Sequence, residues 1–117
     1  TCAFWWGGLA KLADFDGATA EAAHFFGAAA AQPIAVMTIL VELAGSGLLI
    51  AARLEWLAAG ALAVFTAAAT LVAHDFWNVR DPAAHLREFN TFLEHIGLIG
   101  GLALAAILAR RRDRPEP

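Results

Sequence analysis

Apolar positions along this chain gather into long runs separated by short polar stretches. Residues 34–52, IAVMTILVELAGSGLLIAA, are apolar or small except for one carboxylate, Glu42, and a few hydroxyls. Residues 56–73, WLAAGALAVFTAAATLVA, carry no charge at all. A third run covers 89–109, FNTFLEHIGLIGGLALAAILA, with its polar residues in the first third. A membrane-spanning helix takes about 20 such residues, so each run predicts one span.

The start of the chain is a shorter run, apolar from Ala3 to Ala10 in TCAFWWGGLAKL. It reads as the second half of a first spanning helix truncated at its N-terminus. A signal-peptide remnant is the alternative, but neither a basic n-region nor a small-residue cleavage site accompanies it. The expected fold is therefore all-α, a four-helix antiparallel transmembrane bundle over residues 1–110, followed by a basic tail over 111–117.

The connections sharpen this picture. In ADFDGATAEAAHFFGAAAAQP, Asp14, Asp16 and Gly17 are turn residues, and a short Ala-rich interfacial helix is expected from Thr19, with Phe25 and Phe26 as its membrane contacts. Pro33 suits the first turn of the following helix. The link ARLEW is short enough to make the second and third spans an antiparallel pair. In the longer link before the fourth span, Asp81 followed by Pro82 predicts a capped helix start.

Composition excludes the main competitor. Of 117 residues, 60% are hydrophobic and 16% charged, with a mean hydropathy of +0.61; soluble domains carry about 25% charged residues. An alanine-rich soluble bundle is the alternative reading, but there is too little polar material to cover one. Basic residues set the orientation. Arg53, Arg110, Arg111, Arg112 and Arg114 fall on one side, against Lys11, Arg80 and Arg87 on the other, so both termini are expected to be cytoplasmic. Four Arg beside a hydrophobic helix in a chain of net charge −3 do not describe a nucleic-acid binder.

The charges inside the runs are the candidate chemistry. Glu42 lies about nine residues, roughly 13 Å, beyond Pro33, and Glu94 and His95 lie several residues into the fourth span. Lys11 and His74 close the first and third spans on the same side. A lone charge near the bilayer centre costs about 2.5–3.5 kcal/mol, so these groups are expected to pair within the bundle. Three polar or small stripes support that: Thr38, Glu42, Gly45 and Ser46; Thr66, Thr70 and His74; and Asn90, Glu94, Gly97 and Gly101.

In their order and spacing, GLAKLADFDG, VELAGSGLLI, AHDFWN and FLEHIGLIGGLAL resemble the DoxX family of small four-helix membrane proteins across nearly the whole chain. On that resemblance Lys11 and Glu42 match the family's intramembrane lysine and glutamate, whereas Glu94-His95 stands where members often carry Lys-Asn. The family takes its name from subunits of a thiosulfate:quinone oxidoreductase. The resemblance thus implies a redox-linked role in the bacterial inner membrane, with quinone as the cofactor to consider.

Each candidate has a chemical and a structural reading. Lys11 with Glu42 binds a quinone head group or relays protons, or is an ion pair locking two spans. Glu94 and His95 form a proton relay or part of a ligand set, or simply bond between helices. His74, Asp75 and Trp77 supply an outer-face cluster, or cap a helix with a Trp anchor. His24 and His85 read as solvated loop residues. No HExxH, CxxC or paired ligand spacing is present, so no metal is expected. Cys2 is the sole cysteine and has no resolving partner. Two functions remain: a quinone-linked oxidoreductase component, or an accessory subunit packed against a larger respiratory or photosynthetic complex. The bilayer is a partner in both, and other membrane subunits are expected.

Overall fold

The computed structural model describes residues 1–112. The described chain is helical throughout: α1 (Cys2–Ala13), α2 (Phe15–Phe26), α3 (Ala28–Ile50), α4 (Glu55–Ala73), a 3-10 turn (Phe76–Asn78) and α5 (Pro82–Arg112). Three segments, Ala28–Ile50, Glu55–Asn78 and Pro82–Arg112, are long and apolar enough to cross a membrane. Arg111 and Arg112 are the last residues of α5. The rest of the expected basic tail, Arg114 included, lies outside the described residues.

Asp14 both ends α1 and starts α2. Its backbone N–H donates to Ala10 O at 2.9 Å, and its carboxylate accepts from the Gly17 N–H at 2.9 Å, satisfying groups that a helix break would otherwise orphan. α2 therefore begins at Phe15, four residues before the expected start. It ends at Gly27, whose φ of 82° turns the chain straight into α3.

Pro33 is not at the start of a helix. α3 begins at Ala28 and carries Pro33 inside it. The early start is held by packing: Ala31 and Ala35 share a buried cluster with Ala18 and Ala22 of α2. Four alanines let two backbones approach closely enough to offset the backbone bond that Pro33 cannot donate.

α1 lies along the other half of α3. Phe4 shares a core cluster with Leu49, and Lys11 meets Glu42, so α1 runs antiparallel to α3. Gly8 makes the approach close: a Cβ there would stand 2.7 Å from Leu43 Cδ2. The same device joins α3 to α4, where a Cβ on Gly45 would stand 2.9 Å from the fully buried Leu62. The α3–α4 turn is tight enough to force Ala52 and Leu54 to positive φ, 52° and 49°.

α5 starts as the sequence predicts, with the Ala84 N–H donating to Asp81 Oδ2 at 2.7 Å. It packs antiparallel on α4 through Leu98, Leu102 and Ala109. At its far end Arg112 pairs with Glu55, and the Arg110 guanidinium lies 5.6 Å from the Trp56 ring centre. One expectation fails here. Asn90, Glu94, Gly97 and Gly101 are all exposed, and Cβ atoms on Gly97, Gly100 and Gly101 would meet nothing. The inward face of α5 is instead the one carrying Glu88, His95, Leu98 and Leu102, at spacings of three, four and seven.

Candidate functional site

Every helix contributes to one cavity of about 600 Å³. Its walls are mainly apolar, and its polar groups are few: Lys11, Glu21, Thr38, Glu42, Thr66, His74 and His95. That volume falls within the range of small-molecule sites, about 300–1,000 Å³.

Lys11 and Glu42 are joined. Lys11 Nζ donates to Glu42 Oε1 at 3.1 Å and Oε2 at 3.3 Å. The sequence permits this at three points. Lys11 sits in the last turn of α1, where the helix dipole favours a cation. Gly7 leaves room for the carboxylate, since a Cβ there would stand 3.3 Å from Glu42 Oε2. Glu42 lies on the buried face of α3 with Ile39, Gly45 and Ser46. The side chains are 25% and 10% exposed respectively, and both line the cavity, the lysine being the more open of the two.

The pair is deeper than expected. Because α3 begins at Ala28, Glu42 lies in its second half, away from the α4–α5 loop. Gly45 meets Leu62, so Glu42, one turn on, comes level with Thr66. His95 is one turn nearer the loop, its Nδ1 3.0 Å from Thr70 Oγ1. His74 is a further turn along, its Nδ1 2.8 Å from Glu88 Oε2. The two imidazoles meet edge to face with centroids 4.9 Å apart. The polar groups thus form a ladder along the cavity, not a ring at one height. Among the described residues no hydrogen bond links His95 to Lys11 or Glu42.

Glu94 does not join them. It is exposed, does not line the cavity, and makes no hydrogen bond or ion pair among the described residues. Sequence proximity misleads here because adjacent helical residues point about 100° apart. Asp75 and Trp77 also part from His74. Asp75 Oδ2 accepts from Asn78 Nδ2 at 2.8 Å, and Trp77 is exposed beside Phe76 and Phe92. Among the described residues no three His, Cys, Asp or Glu side chains converge as metal ligands.

Sequence reasoning passed over Glu88, Glu21, Gly7 and Phe76. Glu88 was accessible, since it precedes His95 by seven residues and so shares its face. Phe76 packs edge to face on His85, Phe89 and Phe92 at 5.1–5.6 Å, pinning the loop that follows His74. Chemically, the cavity offers an ammonium with a hydrogen to spare, two imidazoles whose Nδ1 atoms are engaged, and a lipid-like wall. It suits a largely apolar molecule carrying a few hydrogen-bonding groups.

The family model described as DoxX matches residues 1–75, a segment that includes Lys11, Glu42 and His74 but ends before His95. No curated protein and no solved structure matches the chain.

Proposed function

The chain belongs to the DoxX family of integral membrane proteins, and from that premise we propose that it is a quinone-linked component of a membrane redox system. A quinone head group occupies the cavity between α1–α3 and α4–α5. The observation that carries this reading is an apolar cavity in which the Lys11–Glu42 pair and His95 are among the buried or half-buried polar contacts. Lys11 donates to one ring oxygen, Glu42 holds the lysine, and His95 serves an oxygen nearer the α4–α5 loop. The redox association implied by the family resemblance gives the same chemistry.

In this reading α1 supplies a fourth membrane element beside the three long helices, and α2, ending in exposed Phe25 and Phe26, meets the interface. The membrane is the bacterial inner membrane. Arg53, Arg110, Arg111 and Arg112 cluster at the α3–α4 turn end, which makes that end cytoplasmic.

The test is dye reduction by the purified protein with an added hydroquinone as the electron donor, together with a search for quinone that co-purifies. Activity lost in Glu42→Gln, with folding retained, supports the site. The absence of both co-purifying quinone and hydroquinone-driven dye reduction refutes it.

A second role, as an accessory subunit of a larger complex, has its own support. Asn90, Glu94, Gly97 and Gly101 form an exposed polar and small-residue stripe on α5, a pattern suited to close contact with another membrane helix. A stoichiometric large complex that co-purifies with wild type and is lost in Gly97→Leu supports this role.

A further inference from the structure

The geometry around His95 points to which of its nitrogens carries the hydrogen. Thr70 Oγ1 donates to Thr66 O at 2.6 Å. A hydroxyl has one hydrogen to give, so toward His95 Nδ1, 3.0 Å away, Thr70 Oγ1 acts only as an acceptor. His95 therefore brings the hydrogen on Nδ1, and in the neutral ring Nε2 carries a lone pair. Thr66 cannot relax this arrangement, because its own hydroxyl donates to Leu62 O at 2.7 Å. Thr66 and Thr70 are both buried, so water does not offer Thr70 another partner.

The neighbouring ring has the same polarity. His74 Nδ1 faces the Glu88 carboxylate at 2.8 Å, and an ionised carboxylate only accepts. The neutral His74 ring is likewise left with a lone pair on Nε2. Both rings line the cavity, and with Nδ1 engaged on each, Nε2 is the ring nitrogen left to meet a ligand there.

Lys11 sets no such preference. Of its three hydrogens two are directed at Glu42, and the third is available to a carbonyl or a hydroxyl oxygen alike. The discrimination falls on His95. A quinone carbonyl set against Nε2 brings two lone pairs together, whereas a hydroquinone hydroxyl donates to it.

We propose that the cavity takes its ligand in the hydroxyl-bearing form, a hydroquinone bound through its O–H to His95 Nε2, and that Thr70 is the positioning residue that sets this polarity. The inference rests on the quinone-site reading above. It adds to that reading the redox form the site selects and the residue that selects it.

The experiment uses the full chain in lipid nanodiscs, without oxygen and at about pH 8, above the ordinary histidine pKa of about 6.5. Three probes sharing the tetramethyl ring are titrated: durohydroquinone, duroquinone and the dimethyl ether of durohydroquinone. One matched hydrogen bond is worth about tenfold in affinity, so durohydroquinone is expected to bind about tenfold more tightly than either of the others. Thr70→Val should bring the three to within about threefold, and Thr70→Ser, which keeps the hydroxyl, should restore the preference. In ¹⁵N spectra of the wild type, His95 should be protonated on Nδ1, a readout that needs no variant to fold. Duroquinone binding as tightly as durohydroquinone overturns the proposed polarity and leaves the quinone site standing. If none of the three probes binds, both fall. Wild-type His95 protonated on Nε2 overturns the role given to Thr70.

Discussion

Lys11 Nζ lies within 3.3 Å of both oxygens of Glu42, a contact that bridges thirty-one residues of sequence and ties α1 to the second half of α3. The two ends of the pair are not equivalent. Glu42 is 7% exposed as a residue, while the Lys11 head has a flexible stem and a cavity beside it.

Removing either partner strands the other, and stranding the carboxylate costs more. Lys11→Met should destabilise by about 3 kcal/mol, the lower end of the cost of a broken buried pair. Glu42→Gln should cost less, because the ammonium can turn into the cavity. The double substitution should recover much of the loss. Thermal unfolding of the four proteins in one detergent checks the order. Glu42→Gln below Lys11→Met would show that the pair is not arranged as described.

Glycines should divide by what surrounds them. Gly45→Ala forces Leu62 to move and should cost about 1–2 kcal/mol, overpacking outweighing the better helix propensity of alanine. Gly8→Ala meets Leu43 at a shorter distance and should cost at least as much. Gly100→Ala faces open space and should be neutral or stabilising by up to about 1 kcal/mol in the isolated protein. Denaturation midpoints measure all three.

Ser46 is fully buried, and among the described residues its hydroxyl has no hydrogen-bond partner. Ser46→Ala removes that unpaired group at little cost in volume. It should raise stability by about 1 kcal/mol, read as an increase in Tm.

Phe76 holds the loop beyond His74 through edge-to-face contacts with four rings. Phe76→Ala should destabilise by about 3 kcal/mol. Hydrogen exchange should quicken at the end of α4 and the start of α5 while α2 and α3 stay unchanged. Uniform exchange throughout the chain would argue against a local role.

Much of the fold can be read from the sequence because spanning helices announce themselves by length and apolarity. The three long helices come directly from those signals, and the start of α5 from the Asp81–Pro82 capping pair. Where the sequence misleads, tertiary contact overrides a local rule. Pro33 reads as a helix start, yet the alanines packed on α2 carry α3 back to Ala28. That five-residue shift also moves Glu42 to a different depth relative to His74. The Lys11–Glu42 contact is legible because two opposite charges in apolar helices have few other partners. The Glu94 placement fails because the choice of inward face was made from small residues, whereas Leu98 and Leu102 decide it by burying more area. Thr70 stands out in the sequence only as one member of a stripe. Its effect on His95 requires the direction of a hydroxyl, which spacing does not encode.

The tight turn at residues 51–54 divides the molecule into two arms, and the cavity is the seam where they meet. Each arm brings half of the lining, the ion pair from the first and both imidazoles from the second. A molecule filling that seam would act as mortar, raising the heat resistance of the whole with the logarithm of its free concentration once that exceeds the dissociation constant. The protein severed at the turn and expressed as two pieces would then reassemble most readily in membranes that contain the right guest.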